Sequence, residues 1–336
     1  LLAEDKTEYV KAIVTKVNNL QAGESGSDSS QEVTLLIKSG RYRGQKVDAY
    51  SLNGYLYGAD CKVGTKVIAN ISEYGGQLTA NVYNYDREFE TGVLVCAFLA
   101  VMWLVGGKKG INSLLALIFT FIVIIMLYIP MMYIGMSPFA AAIITVILIT
   151  VVTHILLADL QPKSIAAMLG SIAGVVVAGI IALIFGKTSH ITGMNVNEIE
   201  TLVYVGQNSK LDIGGMLFSG ILISSLGAVM DVAMSVASSL NEIKQKVPDI
   251  DKKEMFKSGI TIGRDMIGTM SILAYVGGSI NLMMIIYAYA YQMHQVLNMY
   301  SVGIEIMKGI AGTMGIILTV PFTSLIATAM LCSKKK

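Results

Sequence analysis

Charge is what this sequence has least of. Only 14% of its 336 residues are Asp, Glu, Lys or Arg, where a soluble domain carries about 25%. Cysteine is scarce as well. Cys61, Cys96 and Cys332 lie in three different sequence environments. They form no CxxC or Cys/His spacing, which excludes a disulfide framework and a structural zinc site. The three histidines, His154, His190 and His294, are far apart. HExxH, GxSxG, a Walker loop and a contextual GxGxxG are all missing. No enzyme activity, catalytic residue, metal ligand or cofactor is therefore expected. Without an ATP-binding module, any transport is passive, ion-coupled or driven by a partner. A net charge of +2, with no basic patch interleaved with aromatics, leaves no nucleic-acid signal.

The shortage of charge is uneven. Residues 1–88 have a soluble composition, and 89–336 are mostly long apolar runs. This division predicts a β head followed by a polytopic membrane domain. The opening Leu1-Leu2-Ala3 reads like the trailing end of an apolar segment, so a preceding membrane helix, rather than a cleaved signal peptide, is expected. In the head, alternating patterns predict strands over Tyr9–Val17, Glu32–Lys38, Gln45–Tyr50, Thr65–Ser72 and Gln77–Tyr85. Five short strands suggest a small all-β, OB-like barrel. Its tyrosines, Tyr50 and Tyr83 among them, would serve as surface side chains or as a platform for a glycan or protein partner.

Seven spans are expected in the second part: Thr91–Val105, Ile111–Tyr133, Phe139–Leu157, Ser164–Phe185, Gly214–Glu242, Asp265–Gln292 and Gly303–Cys332. Span 4 contains Gly170-x-x-x-Gly174, a pattern for close helix approach. The charged segment 241–264 has one apolar side and is expected on the cytoplasmic membrane surface. Seven spans put Lys108–Lys109, Lys163, the 244–264 cluster and the Lys334–Lys336 tail on one side, as the positive-inside rule requires. The head is then outside and the C-terminus cytoplasmic. The partners expected are the lipid bilayer and a protein or glycan at the head, and a homo-oligomer is compatible with this layout.

The fifth span carries the sharpest signal. Ser224, Gly227, Asp231, Ser235, Ser238 and Glu242 recur at steps of three and four, which puts them on one helix face. A carboxylate inside a span costs about 2.5–3.5 kcal/mol on insertion scales. The expectation is a polar seam turned inward, with the apolar face toward lipid. Spans 6 and 7 add Thr269, Asn281, Thr319 and the Gly277-Gly278-Ser279 break. Asp231, Ser235, Thr269, Asn281 and Thr319 are therefore the candidate ion or solute ligands. Glu242, Arg264, Asp265 and Glu305 are the candidate gating or structural polar groups, with Arg264 and Asp265 at the cytoplasmic entrance and Glu242 positioned to pair with Arg264. The same seam would also serve merely to pack helices. His154 is the one histidine at membrane depth, either as a neutral hydrogen-bonded group or as a proton relay. Two functions stay open: a secondary transporter or permease, and an envelope assembly, receptor or accessory protein.

Several stretches in this half are similar to the YibE/F-like family of bacterial integral membrane proteins. They include Gly227-Ala228-Val229-Met230-Asp231-Val232-Ala233-Met234-Ser235, Gly263-Arg264-Asp265-Met266-Ile267-Gly268-Thr269-Met270 and Gly315-Ile316-Ile317-Leu318-Thr319-Val320-Pro321. The resemblance implies a multi-pass protein of the bacterial cytoplasmic membrane, and it supplies no mechanism. It also implies about three more residues, an Asn-Thr pair among them, between Ser271 and Ile272. Their loss would turn the downstream helix by about 300°.

Overall fold

In the head, the strand pattern is realised in full. The computed structural model describes residues 7–19, 30–52, 58–74, 77–158, 161–195, 199–207, 209–270 and 279–332. Strands β1 (Thr7–Asn19), β2 (Ser30–Ile37), β3 (Lys46–Leu52), β4 (Lys66–Tyr74) and β5 (Gln77–Tyr85) close into a barrel in the order β1-β2-β3-β5-β4. All neighbouring pairs are antiparallel except β3 with β5. Val10, Val14, Val33, Leu35, Ile37, Val67 and Ile71 fill the interior. Ala12, Ala49, Ala69 and Ala80 keep it narrow. A side chain in so small a barrel must be apolar or fully bonded. Ser51, which is completely buried, meets this condition. Its hydroxyl donates to the Ala59 carbonyl at 2.7 Å and accepts from the Ala59 N–H at 3.1 Å.

The chain divides into two compact units, Leu1–Val101 and Met102–Lys336. The first apolar helix, α1 (Glu88–Val123), is broken at Gly107, whose φ of 54° and ψ of −134° are non-helical. Gly110 lies directly against the Met102 carbonyl. Residues eight apart in a straight helix are about 12 Å apart, so the axis turns sharply at this glycine. A π turn at Ile124–Tyr128 leads into α2 (Ile129–Tyr133). Pro130, with no N–H to donate, stands next to it and accounts for the irregular ladder.

The remaining helices are α3 (Pro138–Ala158), α4 (Pro162–Thr188), α5 (Ile199–Gln207), α6 (Ile213–Lys246), α7 (Lys252–Met270), α8 (Ile280–Ala288), α9 (Met293–Leu297) and α10 (Tyr300–Leu331). Among the described residues, five helical stretches are long and apolar enough to cross a membrane: Glu88–Tyr133, Pro138–Leu157, Pro162–Thr188, Ile213–Lys246 and Tyr300–Leu331. Asp212 caps α6, its carboxylate accepting the Gly215 N–H at 3.2 Å. This satisfies one of the donors left over at a helix start.

Helix α10 packs on α4, α6 and α7. Gly170 and Gly174 of α4 lie against Thr323 and Thr319, and Ala178 lies against Gly315. Steps of four in opposite senses make the two helices antiparallel, in contact across backbone and small side chains. On another side, Gly259 and Gly263 of α7 meet Ser324 and Val320, which makes α7 antiparallel to α10 as well. Leu240 of α6 also reaches Gly259. The segment 241–264 is thus divided between the end of α6, a turn around Pro248, and the first two-thirds of α7. A helix does not begin at Asp265. It begins at Lys252 and is held by its glycine face. Residues 271–278, where the resemblance implies a deletion and where the Gly277-Gly278 break falls, lie outside the described residues.

Candidate functional site

The polar seam of α6 faces the opposite way from the sequence expectation. Leu222, Val229, Val232, Ala233, Val236, Ala237 and Leu240 are completely buried. Ser224, Gly227, Asp231 and Glu242 are exposed, and Ser235 and Ser238 are half-buried. The apolar face of α6 is spent on α3, α4 and α10, because the surrounding helices bury Val and Leu better than they bury hydroxyls.

The seam nevertheless lines a cleft. About 330 Å³ in volume, it is bounded by Lys109, His154, Leu157, Gln161, Lys163, Met230, Asp231, Met234 and Ser238. His154 is only 3% exposed. Its Nδ1 lies 2.8 Å from the Thr150 carbonyl. A carbonyl only accepts, so Nδ1–H is the donor, and in the neutral tautomer the lone pair is on Nε2. That Nε2 is buried and has no hydrogen-bond partner among the described residues. The cleft therefore brings together an imidazole, a carboxylate, a hydroxyl, an amide and two lysine side chains. Such a set can bind a small polar or ionic solute, or hold and release a proton.

The other expected ligands do not join Asp231. Thr319 is completely buried against α4, and its hydroxyl donates to the Gly315 carbonyl at 2.8 Å. It fills a packing position because α4 has glycine opposite it. Asn281 is exposed on α8, and the Thr269 side chain lies outside the described residues. Ser235 shares the seam of Asp231 but does not line the cleft.

Arg264 and Asp265 are exposed on α7, but they are not at the end of the bundle. Gly263 meets Val320, eleven residues before Leu331, the last residue of α10. That is about 16 Å along the axis, well inside the apolar length. Glu242 is not positioned to pair with Arg264. With Leu240 opposite Gly259, the two diverge along antiparallel helices by about 10 Å. Glu305 is held by Lys308 at 2.9 Å and accepts from Ser279 at 3.0 Å.

A larger groove of about 610 Å³ runs between α8 and α10, lined by Leu282, Met283, Ile286, Ile306, Ile310 and Met314 among others. Its walls are almost entirely apolar. Its one carboxylate, Glu305, is already paired, so size alone does not make it the site. Among the described residues no cluster of His, Cys, Asp and Glu is arranged to hold a metal.

With this geometry in view, comparison with known proteins settles the relationship. The model of the family described as YibE/F-like protein matches residues 94–333. The chain belongs to the YibE/F-like family. The match begins within the broken helix and runs almost to the last residue, including both sides of the cleft, and leaves the barrel outside. No curated protein and no solved structure matches the chain. As a YibE/F-like protein with five such apolar helices among the described residues, it is a membrane protein.

Sequence reasoning missed the meeting of His154 with Asp231. His154 is four residues from the end of α3, whereas Asp231 is fifteen from the end of α6. Read helix by helix, they fall at different depths. They line one cleft because α3 and α6 start level, with Pro138 against Gly215, and α6 continues past the end of α3, which no periodicity reveals. The available signal was that one histidine and one aspartate stood inside apolar runs.

Proposed function

We propose that this YibE/F-like protein is a secondary transporter or permease for an ion or small polar solute, with the His154–Asp231 cleft as its binding site. One observation carries the reading. A carboxylate and a buried imidazole with an unused lone pair line the same cleft in a helical unit built for a membrane. Ionisable groups at such depth mark solute and proton pathways. Asp231 would bind a cation or proton, and His154 Nε2 would accept a proton from the solute or from water. Lys109 and Lys163 would attract an anionic group at the mouth.

The proposed layout has seven crossings. The break at Gly107 divides α1 into two, and α7 runs antiparallel to α6 and α10, as a sixth crossing would. The lysine clusters then face the cytoplasm of a bacterial cell. The barrel would be outside, and its strand order with a parallel β3–β5 pair fits an OB-like fold.

The test is flux in proteoliposomes under imposed proton, Na⁺ and K⁺ gradients. Asp231→Asn should lower flux about tenfold or more, a factor equal to about 1.4 kcal/mol in barrier. His154→Gln should lower it while leaving the protein folded. Flux unchanged in Asp231→Asn would remove this residue from the mechanism, and no flux under any gradient would overturn the transport reading.

A second reading, assembly with other membrane proteins, is favoured by the outer face of α6. A side chain added at Gly220 or Gly227 would meet nothing within 4 Å among the described residues, so this face has room for another helix. Co-purification of a stoichiometric partner lost in Gly227→Leu would support it.

A further inference from the structure

One wall of the barrel carries a row of side chains independent of the cleft. Antiparallel pairing sets Tyr9 of β1 opposite Asn70 of β4, and Asn70 opposite Asn81 of β5. Parallel pairing then sets Asn81 beside Tyr50 of β3. Side chains alternate across a strand, and the neighbours Val10, Ala49, Ala69 and Ala80 point inward. The four row residues therefore stand side by side on the outer face. Tyr9 and Tyr50 are 58% and 53% exposed. Tyr83, 44% exposed, stands edge-on to Tyr9 with ring centroids 5.3 Å apart and planes at 83°. Three inter-strand steps make the row about 14 Å long.

The chemistry of the row is specific. Its four residues offer aromatic faces, phenolic hydroxyls and two amides, each amide with donors and an acceptor, and no formal charge; the carboxylate of Glu32 on β2, opposite Tyr50, closes one end and would repel a polyanion. The nearest cation on β1, Lys11, is already bound by Glu88 and lies 3.9 Å from Asp86. Nucleic acids and acidic polymers need free cations. A peptide adding as a strand needs an open sheet edge, and a closed barrel has none. What remains is a ligand with apolar C–H faces to lie on rings and many neutral hydroxyls to exchange hydrogen bonds. We propose that the Tyr9–Asn70–Asn81–Tyr50 row, flanked by Tyr83, is a binding face for a neutral oligosaccharide. Its length suits several sugar units rather than one.

The test uses the full chain in nanodiscs, titrated calorimetrically with a β-1,4-linked N-acetylglucosamine tetramer and with maltohexaose. Heparin serves as the charged control and denatured casein as the peptide control. At least one neutral oligosaccharide should bind, and heparin should not. Tyr50→Ala and Tyr9→Ala should each weaken binding about tenfold, equal to about 1.4 kcal/mol. Tyr9→Phe, which keeps the ring, should retain most of the affinity. Resistance of buried Cys61 to maleimide reports that the barrel is intact in each variant. Should an alanine variant lose that resistance, Asn81→Ala, at an exposed position, takes its place with the same expectation. The proposal is overturned if neither sugar binds, if heparin or casein binds in their place, or if intact variants bind as the wild type does.

Discussion

Replacing Gly174 with alanine tests the packing of α4 on α10 directly. A Cβ built on Gly174 would collide with Thr319 Oγ1 and lie 3.0 Å from both Thr319 Cβ and the Gly315 carbonyl oxygen. Thr319 cannot rotate away freely, since its hydroxyl is bonded within its own helix and the residue is completely buried. The helices must part or strain. Overpacking of this kind costs about 1–3 kcal/mol. Gly227→Ala is the matched control, because among the described residues nothing lies within 4 Å of a Cβ there. Both changes replace a helical glycine by alanine, so the gain in helix propensity cancels. Gly174→Ala should then be about 1–3 kcal/mol less stable than Gly227→Ala, read from reversible unfolding in mixed micelles. Adding Thr319→Ala to Gly174→Ala should recover part of the loss, with a coupling of about 0.5–3 kcal/mol. Equal stability of the two single variants, or strictly additive effects in the double variant, would refute the contact.

Two further outcomes follow from single positions. Gly107→Ala should destabilise the turn in α1 by about 1–3 kcal/mol, because φ 54° with ψ −134° is a glycine conformation. Unfolding in micelles measures this, and an alanine as stable as glycine would show that the break is not fixed there. Burial pushes the Cys61 thiol up from its ordinary range. A raised thiol pKa leaves less of the reactive thiolate at any given pH below it. Maleimide at pH 8 should modify Cys61 far more slowly in the native chain than in SDS, as followed by peptide mass spectrometry, and equal rates would contradict the burial.

The barrel was legible because each strand shows its two faces in sequence. Val33, Leu35 and Ile37 alternate with polar neighbours and are buried where the pattern puts them. Helices α3, α4, α6 and α10 were legible from apolar length, and Gly170-x-x-x-Gly174 from its spacing. The second glycine pair, Gly259 and Gly263, carries the same four-residue spacing but sits in a charged segment, where it escapes notice. The direction of the α6 seam was not legible. Periodicity gathers Asp231 and its neighbours on one face but says nothing of which face the neighbours cover. That is decided by the opposing helices, whose glycines and alanines accommodate the bulky side of α6. The arrangement of Thr319 was hidden for a similar reason: a hydroxyl in a span serves a ligand or its own helix equally well until its neighbour is known.

The glycine columns on either side of α10 also constrain how such a sequence can change over generations. Gly174 has room only for what Thr319 leaves, Gly170 for what Thr323 leaves, and Gly263 for what Val320 leaves. A larger residue in one helix has to be answered by a smaller one across the contact. Relatives that retain this packing should therefore exchange bulk in pairs, α4 with α10 and α7 with α10. The open side of α6, where a side chain at Gly220 or Gly227 would meet nothing among the described residues, is free of that bookkeeping unless another molecule imposes it.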